Sequence, residues 1–426
     1  MRFAAPLLIA VALAAQSTAP ASSSSTSLPQ WLKFGAELRG RAEANAGIGF
    51  VAGRHDGYYL HRLRLSASVE PERRLRLYLQ VQDSQAPALS RRPAPAGVLN
   101  TLDLRQAYLE LGAQDAAGFR LRLGRQELAF GEERLVGAAG WGNVGRSFDA
   151  VRLGWRRTGM RLDGFAAALV AAVNGRFDRP SLKNGFYGLY GAFEKLPCGG
   201  VFEPFLLWKT NSSIIGETGA SGDLDVYTAG ARLVGKLAHR TDYNVETAFQ
   251  FGDAAGDAIR AWAGHWALGW TPWKDRPIRL IAEYNFASGD RDPHDGRRGA
   301  FDQLYPTNHS KYGTADLIGW RNIHDVMPGL EWRPGRRWRL KTDYHAFWLA
   351  DRRDALYTEG GAVFVRNPNA SSSRIGWELD LQAEWQVAPR LQLGAGFAHL
   401  FAGPYLKQST AGAGFSYPYW MWSYRF

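Results

Sequence analysis

A strict two-residue alternation of apolar and polar side chains constrains this chain more than any other feature. In 59–69, Leu63, Leu65, Ala67 and Val69 fall on one side, with Arg62, Arg64, Ser66 and Ser68 on the other. Leu75, Leu77, Leu79 and Val81 alternate with Arg76, Tyr78, Gln80 and Gln82. Tyr243, Val245, Phe249 and Phe251 oppose Asp242, Asn244, Glu246 and Gln250. Trp377, Leu379, Leu381, Ala383 and Trp385 oppose Glu378, Asp380, Gln382, Glu384 and Gln386. Successive side chains of an extended strand point to opposite faces, so the pattern predicts long strands.

A soluble sandwich would alternate too, with its polar residues outside. Two features favour a membrane barrel instead. The segments approach the ~9–11 residues that a tilted strand needs to cross a bilayer. Their apolar faces end in aromatics such as Trp332, Trp338, Trp377, Trp385, Trp420 and Trp422, as interfacial girdles do. The connections decide between the two. Eighteen strands are expected, beginning near 32, 58, 74, 102, 119, 147, 160, 186, 201, 224, 241, 260, 278, 323, 338, 375, 391 and 415. The even-numbered connections are brief, as at Pro71-Glu72-Arg73, Arg157-Thr158-Gly159, Cys198-Gly199-Gly200, Pro334-Gly335-Arg336 and Ala388-Pro389-Arg390. The odd-numbered ones are mostly longer: Ser84 to Asn100, Arg125 to Arg146, Ala287 to Asn322 and Asp351 to Ser373. Outer-membrane barrels sort periplasmic turns and extracellular loops in this way, whereas a sandwich has no reason to. In lipid only closure leaves a sheet without an unpaired edge. The expected fold is all-β, a membrane-spanning antiparallel barrel of about eighteen strands in the bacterial outer membrane.

The chain ends suit an exported barrel. Arg2, the apolar run Phe3 to Ala14 and the triplet Ala12-Leu13-Ala14 read as a secretory signal peptide over 1–14. A Ser-rich segment over 15–31 then leads into the barrel over 32–426. The single Cys198 excludes an internal disulfide and a cysteine-based zinc site. No later stretch approaches the ~18 apolar residues of a helical span. Trp420, Trp422, Tyr424 and Phe426 share one face of the last segment. A terminal aromatic so placed resembles the signal read by the outer-membrane assembly machinery, which makes Phe426 a partner site. Lipid bilayer and lipopolysaccharide are the expected surroundings.

A family resemblance rests on two stretches. One runs from Gly124-Arg125-Gln126-Glu127-Leu128 through Arg134-Leu135-Val136-Gly137, Trp141, Asn143 and Arg146 to Phe148-Asp149-Ala150-Val151-Arg152. The other runs from Tyr284-Asn285-Phe286-Ala287-Ser288-Gly289-Asp290 through Phe301-Asp302, Tyr305-Pro306, His309 and Gly313 to Trp320-Arg321-Asn322. Together they resemble the alginate-export family of outer-membrane barrels. The resemblance implies a monomeric eighteen-stranded barrel with an arginine-rich, anion-selective constriction. It carries a pore-lining role onto Arg125 and Arg152. The stretch between them departs from the more acidic motif of the alginate exporter proper.

The arginines are the candidate site. By alternation Arg39, Arg41, Arg62, Arg64, Arg76, Arg105, Arg120, Arg122, Arg152, Arg156, Arg232, Arg279 and Arg339 point away from lipid. A charge on the lipid face costs roughly 2–4 kcal/mol near the midplane, so such residues must face the lumen. Arg39, Arg62, Arg64, Arg76, Arg105, Arg122, Arg125, Arg152, Arg232 and Arg279 are expected to line the pore and meet an anionic small molecule or polysaccharide. A guanidinium fork suits carboxylate or phosphate. The competing reading pairs these arginines with lumenal Glu37, Glu110, Glu246, Glu283, Glu378 and Glu384 in a plugged, structural or adhesion barrel. The loop from Arg125 to Arg146, third on the outer side, has a sequence that allows it to fold inward or stay on the surface. Gly289-Asp290-Arg291-Asp292-Pro293-His294-Asp295-Gly296 spaces carboxylates like a calcium loop but lacks the closing Glu, and reads as an acidic surface turn. His309 beside Ser310 reads as loop structure, and the chain has no nucleophile elbow or zinc motif, so neither an enzyme nor a cofactor is expected. The net charge of +11 sits on strands rather than on a helix or patch, which argues against nucleic acid.

Overall fold

The computed structural model describes residues 29–90, 94, 97–112, 117–196 and 199–426. The expected signal peptide, Ala15 to Leu28 of the Ser-rich segment and Cys198 lie outside the described residues. Eighteen long strands form the wall: β1 (Leu32–Ala46), β2 (His55–Glu72), β3 (Leu75–Gln85), β4 (Asn100–Gly112), β5 (Gly118–Gln126), β6 (Phe148–Arg157), β7 (Met160–Ala171), β8 (Arg179–Phe193), β9 (Val201–Ile215), β10 (Ser221–Leu237), β11 (Thr241–Ala254), β12 (Asp257–Trp270), β13 (Ile278–Ala287), β14 (Ile323–Trp332), β15 (Trp338–Trp348), β16 (Arg374–Ala388), β17 (Leu391–Ala402) and β18 (Phe415–Arg425). Each pairs antiparallel with its chain neighbours, and β1 pairs with β18 from Glu37↔Arg425 to Ala46↔Ser416. The sheet therefore closes on itself. The dipeptide Arg297–Arg298 adds a short parallel pairing on β12, and a small hairpin joins Ala355–Tyr357 to Val363–Arg366. No helix among the described residues is long and apolar enough to cross a membrane.

The ladder register converts alternation into two faces. Leu65↔Val81, Ala67↔Leu79 and Val69↔Leu77 stack apolar side chains outward, while Arg64↔Gln82 and Ser66↔Gln80 stack polar ones inward. Leu65, Leu77, Leu79, Val151, Leu153, Phe249 and Leu381 are all exposed on the outer face. Such a band is untenable in water and expected in lipid. Aromatic rings mark its edges. Tyr187, Trp208, Tyr227 and Phe251 stack in succession across β8–β11, at centroid spacings of 4.8, 5.4 and 5.5 Å. Near the opposite end, Trp338 and Trp385 stack at 5.1 Å.

The apolar core lies inside the barrel. Two outer connections, 127–147 and 288–322, turn inward and bury Leu128, Val136, Phe301, Leu304 and Trp320 against inner-wall Phe148, Phe186 and Leu207. The two segments meet in a parallel bridge between Val136 and Tyr305. Inward folding of 127–147 is one of the two courses its sequence allows. That of 288–322 is a finding of the structure.

Candidate functional site

Irregular backbone inside a barrel must find partners for its amides and carbonyls. The inner wall supplies them. Arg39 donates to the carbonyls of Gly140, Trp141 and Gly142 at 3.0–3.1 Å, and Arg62 to those of Gly140 and Gly142 at 3.0 and 3.1 Å. Arg41 donates to the Trp141 carbonyl at 2.8 Å and lies over the Trp141 ring. Gln82 donates to the Val144 carbonyl and Ser84 to that of Asn143, both at 2.8 Å. Arg105 binds Ser147, Glu127 and the Ala138 carbonyl. One end of the segment is thus fastened to β1–β4.

Its other end reaches across the lumen. Arg134 donates to Glu283 at 3.0 Å and to Asn285 at 3.4 Å, beside His265 and Tyr312. Burial would discharge this guanidinium, but Glu283, the Tyr312 hydroxyl and Glu132 outweigh it and hold its pKa above the ordinary arginine value. The contacts to β1 and β2 and those to β12 and β13 lie six to eight strands apart on the shorter way round the eighteen-strand wall. The segment 127–147 therefore bridges the barrel.

The segment 288–322 braces it. Asp302 pairs with Lys209 of β9 at 2.7 Å and exchanges bonds with Gln250 of β11. Farther along, Thr314 donates its amide to Asp380 and Ala315 its amide to Glu378, both at 2.9 Å, on β16. His309 bonds Asp316 at 2.7 Å and stacks on Trp141 at 3.6 Å, so its expected role in loop structure has a geometry. Burial and the nearby Arg134 push the Lys311 ammonium below its ordinary pKa.

The pore-lining candidates divide by partner. Arg76 meets Ser68 and Glu70, Arg122 pairs with Glu110 over the Tyr108 ring, and Arg152 binds Asp163 at 2.9 Å. Arg232 binds Glu203 at 2.7 Å and Arg279 binds Asp242. Arg62 pairs with Glu37 besides holding the loop. Beyond these candidates, Arg41 pairs with Glu43, Arg339 with Glu331 and Glu384, and Arg120 and Arg156 stand at 3.9 and 4.0 Å from Asp163 and Glu194. Among the described residues, Arg39, Arg64 and Arg146 have no carboxylate within ion-pair distance. Arg64 donates through Nε to Gln82 at 2.6 Å and keeps a buried terminal nitrogen without a partner.

Arg125 is a correction. It pairs with Asp149 at 2.8 Å across the β5–β6 ladder, and Asp149 lies between the inward-facing Phe148 and Ala150. Both charges therefore share the outward parity of Leu121, Leu123 and Val151, at the outer rim. Its lumenal assignment rests on the motif resemblance, while its own alternation with Leu121 and Leu123 points outward.

Several lumenal residues escape the sequence reading, among them Gln82, Ser84, Lys209 and Asp302 as partners of the inward segments. Parity is available for those on strands. What they bind is not, because their partners sit on loops whose direction no local pattern encodes. In the turn from Asp290 to Asp295, Asp292 accepts from the His294 amide and Asp295 from that of Arg297, whereas Asp290 is buried and donates its amide to Asp354, so the expected surface turn holds only for its outer part.

The barrel fold has counterparts among solved structures. OpdO from Pseudomonas aeruginosa superposes with a TM-score of 0.61 at 12% identity, covering 93% of this chain and 97% of that one. OccK2 (OpdF) from the same organism, solved in complex with glucuronate, gives 0.60 at 9% identity over 93% and 98%. OpdK with vanillate gives 0.61 at 11% identity over 93% and 98%. At such identities the likeness establishes the fold. No curated protein matches the chain in sequence. The alginate export family profile matches residues 30–414, and the closed barrel with its inward loops agrees with it: the chain belongs to the alginate export family and is a β-barrel of the bacterial outer membrane.

Proposed function

We propose that the barrel is a channel through which anionic solutes pass by diffusion, and that carboxylate-bearing small molecules or an acidic saccharide are its cargo. The observation that carries this reading is Arg64. It projects into the lumen beside Arg39 and Arg62, has no carboxylate within ion-pair distance because Glu37, opposite it on β1, is taken by Arg62, and retains an unbonded guanidinium nitrogen. A cation without an ion-pair partner on a low-dielectric wall focuses field on the passage and concentrates anions. Glucuronate in the OccK2 structure and vanillate in that of OpdK are both carboxylates, which supports the same cargo class here. Arg39, Arg62 and Arg105 serve chiefly by holding the bridge that narrows the passage. The remaining paired arginines line the wall with much of their charge compensated.

A second reading, a non-conducting structural or adhesion barrel, draws on the apolar core within the lumen. Planar bilayers separate the two. Steady conductance with a reversal potential on the anion side is expected, and Arg64→Glu should move that potential toward cations with the barrel still assembled. Silence, or cation preference in the unmodified channel, overturns the proposal. Transport without chemistry, a monomeric working unit and recognition of the terminal strand by the assembly machinery complete it. Phe426 exchanges both backbone hydrogen bonds with Ala36, placing its ring at the closing seam.

A further inference from the structure

The inner wall contains a contact that a sheet does not tolerate unaided. Asp343 of β15 and Asp380 of β16 are direct cross-strand partners on the inward face, each no more than 2% exposed. Like charges directly opposite one another destabilise a sheet, and buried carboxylates need a cation, a proton or hydrogen-bond donors. The donors present are too few. Lys341 reaches one oxygen of Asp343 at 2.6 Å, and the Thr314 amide reaches one of Asp380. The second oxygen of each, Oδ1, is buried without a partner.

His345 stands beside them, 1% exposed. Its Nδ1 lies 3.0 and 3.1 Å from the two oxygens of Asp325, which is held in turn by Asn285. That contact directs Nε2 toward Asp380, 3.8 Å away. A carboxylate that orients the far nitrogen of an imidazole is the usual outer support of a metal-binding histidine. One ligand atom each from Asp343, His345 and Asp380 lie within 4.8 Å of one another. Bonds of 2.0–2.2 Å in a tetrahedral site set donor separations of roughly 3.3–3.6 Å, so small side-chain movements close the site. The group formed by His265, Glu283 and Glu132 differs, because Arg134 already fills it.

We propose that Asp343, His345 and Asp380 bind one divalent first-row transition-metal ion on the inner wall. Mixed imidazole and carboxylate donors suit zinc, cobalt or manganese better than calcium or magnesium. Three protein ligands leave a position for water. Through the Thr314 amide on Asp380, the ion would tie β15 and β16 to the inward segment 288–322. The proposal does not depend on what the channel carries.

The test uses full-length protein folded in detergent and stripped with EDTA. Titrated Co2+, followed by visible absorption, should bind at one equivalent per chain, be displaced by Zn2+ and raise the thermal unfolding midpoint. His345→Gln and Asp380→Asn should abolish that equivalent, and His309→Gln should retain it. If either variant fails to fold, X-ray absorption on the Co2+-loaded wild type decides, one imidazole and carboxylate oxygens being expected. The idea is overturned if stripped wild type takes up no stoichiometric metal, if folded His345→Gln still does, or if the absorption spectrum lacks imidazole. In those cases the pair is relieved by a proton.

Discussion

At the scale of the residue, position on the strand decides whether a charge is tolerated. Leu77 lies on the outer face of β3 and Gln80 on the inner, where Gln80 bonds Tyr78 and Gln106. Leu77 is the third residue of β3, toward the short-turn rim, so Leu77→Arg should cost less than the roughly 2–4 kcal/mol of a midplane charge but still be seen as less heat-modifiable folded protein and an earlier urea midpoint. Gln80→Arg, in a polar lumen, should leave both near wild type. Equal behaviour would shift the register of β3 by one residue and turn every side chain over. The inside and outside of individual strand residues are legible in the sequence because a period of two leaves only this choice. Arg64, Arg122, Arg152 and Arg232 all fall where alternation puts them. Arg125 does not fall where its motif puts it. It sits at the strand's end, where lipid no longer enforces the pattern and Asp149 can pair with it outside the lumen.

At the scale of the element, strands are readable and loop directions are not. The expected start near 186 marks where alternation begins, yet β8 begins at Arg179, because its outer end is not held to lipid and need not alternate. For 288–322, length alone gives no direction. Its course depends on pairings such as Asp302 with Lys209, between residues far apart in sequence. The bridge 127–147 rests on Arg134 at one end. Arg134→Ala would leave Glu283 and Asn285 buried beside His265 without their cation, and removing one partner of a buried pair costs about 3–5 kcal/mol. The expected result is faster hydrogen exchange through 127–147 and a larger, noisier single-channel conductance. An unchanged conductance would place the narrowest point elsewhere. A smaller element responds to pH. Asp178, in the outer connection 172–178, is pushed up to about 6 by burial, with Asp103 adding to the effect against the bond from the Val173 amide. Its folded pKa is raised, so its support for the loop is full below its ordinary pKa of 3.8 and fades as pH rises through about 6. Exchange protection in 172–178 should therefore fall between about pH 4 and 7, and Asp178→Asn should flatten that dependence.

At the scale of the molecule, parity of the connections ties sidedness to selectivity. Short turns such as the one at Gly335 close the β14–β15 hairpin at one rim, while Asp295 is exposed at the other. The long-loop rim of such barrels is extracellular. A small epitope inserted after Asp295 should be labelled on intact cells, and one inserted at Gly335 only after permeabilisation. The reverse pattern would invert the barrel. With that orientation, an entering solute meets the bridge 127–147 and its arginine wall partway down, where loop backbone and apolar core have displaced water. Exposed charges more than a Debye length from the solute are screened, and that length falls from about 10 Å at 0.1 M salt to about 3 Å at 1 M. Charges in a narrowed, low-dielectric passage are screened much less. Anion preference set by Arg64 at the bridge should therefore weaken with salt but persist at about 1 M, whereas preference arising from the +11 net charge spread over the whole chain should vanish there. Reversal potentials measured at a fixed gradient ratio, from about 0.1 M upward, distinguish the two. Complete loss of anion preference at the high-salt end would remove the bridge as the selecting element, even if the channel conducts.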